Sequence, residues 1–316
     1  IPPRHPVLGA GHHGFGRMIP GFKDAVWQGP EGAIAYSSAG RGEPILLLHG
    51  FPQNRAMWAK IAPRLVEAGF CVVAPDLRGY GASHKPSALE DYSFRAMGRD
   101  MAGLMADLGH GSYHLVGHDR GARTAHRMAL DDRMDQIASL TLMDIIPTHL
   151  LLDQLSRNVA KAYYHWFFLA QPAPFPETMI GHDPDAYFES CLLGWGAARI
   201  EDFAPEQMAA YRAAWRDPET IRGMCADYRA ALEIDFHLDS NDLKRTVDVA
   251  SLVLWGADGA MGKAYDVAST WADRLSKMDA KGIPGGHFFP DTAPEQTAEA
   301  LVEFIRSTPL HQISTR

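Results

Sequence analysis

Ser112-Tyr-His-Leu-Val-Gly-His-Asp-Arg-Gly-Ala-Arg-Thr-Ala-His-Arg-Met-Ala-Leu130 is the stretch on which the reading of the whole chain turns. A short apolar run meets a helical pattern through Gly117-His118-Asp119-Arg120-Gly121, which predicts a strand, a sharp turn and a helix. In such a turn the glycines on either side let the backbone bend, and the central side chain stands alone at a helix N-terminus. Here that side chain is Asp119. A serine would point to attack on carbonyls. A carboxylate is already ionised at neutral pH and can displace a leaving group from saturated carbon.

Upstream, Trp27 to Ala39 reads as a pair of short strands turning at Gly32, and Pro44-Ile-Leu-Leu-Leu48 as a buried strand entering the loop His49-Gly-Phe-Pro-Gln53. A helix over about 56–68, closed by Gly69, precedes a second buried strand, Phe70-Cys-Val-Val-Ala74, which empties into the Gly-rich loop Pro75–Ser83. Apolar residues spaced by three and four predict a helix over 93–108. Downstream, Ile137–Met143 reads as a strand ending at Asp144. Strands apolar on both faces, alternating with helices, mean a parallel sheet covered on both sides. From Pro147 to Arg245 the strand runs give way to aromatic-rich helical segments (159–169, 184–193, 205–215, 218–232). The alternation resumes with Ala250–Trp255, a helix over about 264–275, a weak strand near Met278–Ile283, Gly285-Gly-His-Phe-Phe289 and a closing helix over 294–306. The expected organisation is an irregular arm over 1–24, a core from 25–146 and 246–316, and a helical cap over 147–245.

Three features follow in the order nucleophile, acid, histidine: Asp119, then Asp144 or Asp258, then His287. That order is the one expected of the α/β-hydrolase fold, a mostly parallel sheet flanked by helices. His287 would take a proton from water in the second half of the reaction, and an acid must hold its tautomer and stabilise the cation that forms. Asp144 and Asp258 both end a core strand, so spacing leaves the choice between them open. The backbone N–H groups of Phe51 and Arg120 would form an oxyanion hole. Arg120 and Arg123 sit one and four residues past the nucleophile, so both can reach the pocket beside Asp119 from the first helical turn. Guanidinium forks bind carboxylates bidentately, and a haloacid would place its carboxylate on them and its α-carbon in line with Asp119.

Composition narrows the partners. With 316 residues, 46% of them hydrophobic, the chain can bury a large core. No apolar stretch approaches the ~18 residues of a membrane span, and the N-terminus lacks a signal-peptide core. A net charge of −8 without a basic cluster argues against nucleic acid and anionic membranes. Cys71, Cys191 and Cys225 are too few and scattered for a disulfide framework or a zinc site, which fits a reducing cytoplasm. His12 and His13 read as surface residues, not metal ligands. No metal or cofactor is expected.

His49-Gly-Phe-Pro-Gln53, Asp76-Leu-Arg-Gly-Tyr-Gly-Ala-Ser83, the Asp119-Arg-x-x-Arg123 elbow, Asp144-Ile-Ile-Pro-Thr148, Tyr164-His-Trp-Phe-Phe-Leu169, Gly194-Trp-Gly196 and Gly285-Gly-His-Phe-Phe289 together resemble the fluoroacetate dehalogenases, over roughly residues 25–306. The resemblance implies hydrolysis of a small anionic haloacid through an aspartyl ester, and a homodimer. It implies Asp144 as the acid, and halide binding by His165, Trp166 and Tyr228, while Trp195 lines the pocket or simply packs. Haloalkane dehalogenases carry Trp after the nucleophile and usually Asn in place of Phe51, and this sequence departs from both. Epoxide hydrolases share His-Gly-Phe-Pro and the Asp nucleophile but prefer Trp after it and use a pair of cap tyrosines. They are the alternative reading. A hydrolase fold that only binds a small acid is a third, and the presence of all three triad candidates speaks against it.

Overall fold

The computed structural model describes residues 17–194 and 198–310, so His12, His13 and Trp195 lie outside the described residues. Eight strands form one sheet: β1 (Lys23–Gln28), β2 (Ala33–Gly40), β3 (Pro44–Leu48), β4 (Cys71–Pro75), β5 (Tyr113–His118), β6 (Ile137–Met143), β7 (Ala250–Gly256) and β8 (Met278–Ile283). Their order is β1-β2-β4-β3-β5-β6-β7-β8. β2 pairs antiparallel with both β1 and β4, and every other neighbour is parallel. β3 and β5 lie at the centre and are buried along their whole length, as expected of parallel strands covered on both faces. The chain therefore has the mostly parallel, helix-flanked sheet that its alternating pattern implied.

Two helices fix the middle of this sheet. Helix α1 (Phe94–Asp107) starts where the Ser93 side chain accepts from Ala96 N, and it buries Phe94, Met97, Met101, Leu104 and Met105 on one stripe. Helix α2 (Arg120–Asp131) begins directly after β5 and is buried at ten of its twelve positions, among them Arg120, Arg123 and Arg127. Buried arginines need partners, and most of those partners come from the segment between β6 and β7.

That segment departs in detail from the sequence pattern. The expected helix over 159–169 is two, Arg157–Ala162 and His165–Leu169, and Thr148–Asp153, Phe175–His182 and Phe236–Asn241 are further helices that periodicity did not reveal. In the core, the helix expected over 56–68 is a 3₁₀ segment, Arg55–Lys60, followed by Ala62–Glu67. Pro63 has no N–H to bond back to Ala59 and so cannot continue the first segment. The helix expected over 264–275 breaks into Ala260–Ala264 and Val267–Trp271, because the Asp266 side chain accepts from Ser269 N and starts a new cap.

Helix α3 (Pro218–Ala230) continues through a wide turn, Ala231–Asp235, into Phe236–Asn241. Four carboxylates fasten this run to its surroundings. Asp227 binds Arg120, Asp235 accepts from Phe94 N, Asp239 accepts from His149 N and pairs with Arg274, and Asp242 pairs with Arg127. Arg120 and Arg127 both belong to the helix that follows Asp119, so the run is tied to the elbow from above. Among the described residues no helix is long and apolar enough to cross a membrane.

Candidate active site

The elbow is built by close backbone approach. Asp119 itself carries the strain, at φ 50 and ψ −115, while neither flanking glycine has a positive φ. Gly117 and Gly121 are required for a different reason than backbone freedom. A Cβ on Gly121 would lie 2.3 Å from Leu48 O and 2.4 Å from His49 O, and one on Gly117 would lie 2.4 Å from Gly121 O. The glycines let β3, β5 and α2 touch, and the touching strands hold Asp119 in its bend. Asp119 N donates to Met143 O at 3.1 Å, which anchors the bend to the end of β6.

The two oxygens of Asp119 are not equivalent. Oδ2 accepts the Phe51 backbone N–H at 2.9 Å, whereas Oδ1 lies 4.0 Å from His287 Nε2, beyond hydrogen-bond range. Arg120 opens α2, so its N–H has no intrahelical acceptor. Burial alone would push Asp119 up, but His287, Arg120, His118 and Arg123 together hold it below the ordinary carboxylate value. Asp119 is therefore a carboxylate at neutral pH.

His287 sits on the loop after β8, its Nδ1 2.6 Å from Asp144 Oδ2. The other Asp144 oxygen accepts from Gly256 N at 2.8 Å, so the acid is held at both ends, and it is fully buried. Burial lowers the His287 pKa, but the hydrogen bond and charge of Asp144 and the charge of Asp119 outweigh it, leaving a raised value. Asp258 is exposed and accepts from Gly285 N at 2.9 Å. It shapes the histidine's loop, and it is Asp144, not Asp258, that is hydrogen-bonded to the ring. Beneath the histidine, His118 Nε2 is 2.8 Å from the His287 carbonyl oxygen, and burial drops the His118 pKa to about 4.

An aromatic roof lies above Asp119. The Phe51 ring stacks on His165 at 5.8 Å and meets Tyr228 edge-on at 5.0 Å. Tyr228 also meets His165 at 5.5 Å and Trp166 at 5.2 Å. All three cap side chains are buried. Burial holds His165 well below its usual pKa, and burial together with the Asp119 charge keeps the Tyr228 hydroxyl protonated. The roof is thus electrically neutral, and the Tyr228 hydroxyl has no hydrogen-bond partner among the described residues.

The two arginines sit between floor and roof. Arg120 is fully buried with its guanidinium carbon 4.0 Å from the Tyr228 ring centre and 4.7 Å from those of Trp166 and Phe94. Its Nε and Nη2 donate to Asp227 at 2.9 and 2.6 Å, leaving Nη1 without a partner. Arg123 donates through Nη1 to Ile146 O and Thr148 Oγ1, both at 3.0 Å, leaving Nε without one. Burial and the Arg120 charge lower its pKa to about 10, so it stays cationic at neutral pH.

Asp119, His287, Asp144, Phe51, Arg120, Arg123, His165, Trp166 and Tyr228 thus meet in one place, drawn from loops and helices spread over most of the chain. Asp227 and Thr148 were missed by sequence reasoning. A signal for Asp227 existed, since it directly precedes Tyr228 in a helix whose neighbouring positions are apolar. Its partner, 107 residues upstream, is visible only in the fold.

The α/β-hydrolase fold model matches residues 43–294, which includes the elbow, the cap and the histidine loop. The chain belongs to the α/β-hydrolase family. Within that family it is 48% identical to a fluoroacetate dehalogenase from Burkholderia sp, over 95% of this chain and 99% of the relative. It thereby groups with α/β-hydrolases that act on carbon–halide bonds. It is 29% identical to a soluble epoxide hydrolase from Corynebacterium sp. (strain C12), covering 85% of this chain and 92% of that one. A crystal structure of an α/β hydrolase from Nostoc sp PCC 7120 superposes with a TM-score of 0.87 at 44% identity, covering 90% of this chain and 98% of the other.

Proposed function

We propose that this α/β-hydrolase converts haloacetates to glycolate and halide, fluoroacetate among them, through an ester on Asp119. The observation that carries the reading is the asymmetry of the Asp119 carboxylate: Oδ2 is held by the Phe51 amide and Oδ1 is left to attack, beside two buried arginines. In the first step Oδ1 bonds to the α-carbon as the carbon–halogen bond breaks, and the bonding pair leaves with the halide. Arg120 and Arg123 bind the carboxylate. His165, Trp166 and Tyr228 supply neutral N–H and O–H donors to the departing anion.

The ester that remains has Oδ2 as its carbonyl oxygen, already at the Phe51 N–H. Water attacks this carbonyl, His287 takes its proton through Nε2, Asp144 stabilises the imidazolium, and the Phe51 and Arg120 amides bind the oxyanion. Charge favours this order. Esterification removes the negative charge of Asp119, one of the contributions that raises the His287 pKa, and so shifts that pKa back down in the step that needs a base. The tetrahedral oxyanion then collapses: the bond from the Asp119 carboxyl carbon to Oδ1 breaks, and the His287 imidazolium returns its proton to the departing glycolate oxygen. Asp119 keeps the oxygen from water and loses the remaining proton to solvent as its carboxylate is restored.

The test is His287→Asn incubated with fluoroacetate. Intact-protein mass should rise by one glycolyl group, mapped to Asp119, because the ester forms and cannot be hydrolysed. An unchanged mass in a folded variant rejects the covalent step.

Epoxide hydrolysis is the second reading. Tyr163 and Tyr228 are both buried, and burial together with the nearby carboxylate charges keeps each phenol protonated, so both are donors of the kind an epoxide oxygen needs. Parallel assays with fluoroacetate and styrene oxide, scoring fluoride against diol, separate the two readings.

A further inference from the structure

Arg120 does not stand in the site as a bare cation. Asp227 from α3 covers two of its three guanidinium nitrogens, at 2.9 and 2.6 Å, and the Asp227 main-chain carbonyl accepts a further bond from Nη2 at 3.2 Å. Both side chains of the pair are wholly buried. Asp227 is fixed in turn by the core: the Tyr80 hydroxyl donates to its Oδ2 at 2.6 Å. The backbones of the two regions also touch there, for a Cβ on Gly223 of α3 would lie 2.4 Å from Gly79 O, next to Tyr80. Tyr228, the next residue on α3, lies over the face of the same guanidinium at 4.0 Å.

We propose that Asp227 is a positioning residue for substrate binding: it neutralises Arg120 and turns the guanidinium so that Nη1 alone is presented to the substrate carboxylate, leaving Arg123 as the cation that attracts the carboxylate by charge. Two orphaned nitrogens, Arg120 Nη1 and Arg123 Nε, then mark where the carboxylate is held. The opposite perturbations of the two arginines agree with this division. Burial lowers both, but for Arg120 it is more than reversed by Asp227 together with Tyr228 and Tyr80, whereas Arg123 has no carboxylate hydrogen-bonded to it among the described residues and stays lowered. Neutralising one arginine has a catalytic use. Two uncompensated cations would bind the substrate and product carboxylates alike and would pair with Asp119, whereas one cation and one aimed donor orient the substrate without disarming the nucleophile. Because Asp227 and Tyr228 are adjacent, the same turn of helix sets the carboxylate donor and a halide donor.

The inference rests on the proposed haloacetate reaction, and the experiment separates the two. Asp227→Asn and the parent are compared by fluoroacetate turnover and by calorimetric titration with acetate, a carboxylate that cannot react. Loss of orientation should lower kcat about tenfold or more, while the uncompensated Arg120 keeps acetate binding at least as tight as in the parent. Parallel loss of acetate binding and kcat, or a kcat within about twofold of the parent, overturns the proposal. Should Asp227→Asn fail to fold, Tyr80→Phe removes one support of Asp227 without touching Arg120. It should lower kcat about two- to fivefold with acetate affinity within about twofold, and an unchanged kcat overturns the proposal. If the parent releases no halide, the reaction itself is rejected. The acetate titration then decides the role of Asp227 alone: equal or tighter binding in Asp227→Asn supports it and weaker binding overturns it.

Discussion

The floor and the roof of this site are made by different means. The floor, Gly117–Arg123 with His49–Phe51, is shaped by backbone against backbone: Gly121 leaves no room for a methyl group, and Asp119 is held in a strained bend by the strands around it. The roof, His165, Trp166 and Tyr228, is held largely by side-chain tips: ring edges and faces, and the carboxylates of Asp227 and Asp235 reaching to core groups, with one close backbone approach, Gly223 against Gly79 O, a turn before Asp227. The proposed nucleophile and oxyanion hole sit where a single carbon atom is forbidden. The proposed halide donors sit where side chains alone make the contact, with the two arginines between the layers.

Three changes would break or sharpen that contrast. The largest effect is expected from Gly121→Ala, whose Cβ meets two carbonyl oxygens of the β3 exit that cannot rotate away. A loss of about 3 kcal/mol or more, seen as a Tm lower by roughly 10 °C, should accompany loss of activity. A Tm within about 2 °C of the parent would show that the floor yields and that the contrast is wrong.

Tyr228→Phe should leave Tm nearly unchanged, because the deleted hydroxyl has no partner among the described residues. Its effect is expected on the leaving group: fluoride release slower by about 10- to 100-fold, chloride release by less than about 10-fold, since fluoride depends more on hydrogen-bond donors. Equal losses for both substrates would mean that the hydroxyl serves something other than the halide.

The smallest effect concerns pH. Burial raises the Asp235 pKa from 3.8 to about 8, with one oxygen accepting from Phe94 N and the other unpaired. A carboxyl raised in the folded state contributes stability that is fully present below its unfolded value near 4 and is lost as pH rises through about 8. Asp235→Asn keeps the acceptor for Phe94 N and cannot ionise, so the fall in Tm between pH 6 and 9 should be shallower than in the parent. Identical slopes would remove Asp235 from the roof's attachments.

How far the chain could be read in advance follows the same division. The Gly-x-Asp-x-Gly elbow, the buried runs of β3 to β6 and Gly-Gly-His before the last helix were legible, because strand burial and turn chemistry are written in neighbouring residues. The glycines of the elbow were noticed for the wrong reason, since the need for them lies in the distance to Leu48 and His49 across the sheet. The segment between β6 and β7 was legible as helical but not in its breaks. Its helices are short and packed against a partner, so tertiary contacts, not periodicity, decide where they stop.

The amino-acid sequence by itself determined the alternation of strands and helices, the carboxylate at the elbow with two arginines in the following turn, and the histidine in its late Gly-rich loop. All of these depend on residues within one or two turns of each other. Spacing alone left Asp144 and Asp258 open, since they end neighbouring positions in the sheet and look alike in the chain, and the resemblance pointed to Asp144; in the tertiary structure β6 delivers Asp144 to His287 Nδ1 at 2.6 Å, while Asp258 points to the outside of the loop. Only the tertiary structure joined Asp227 to Arg120 and Tyr80, because a buried charge takes whichever partner the fold brings within about 3 Å, and nothing local in the sequence encodes that distance.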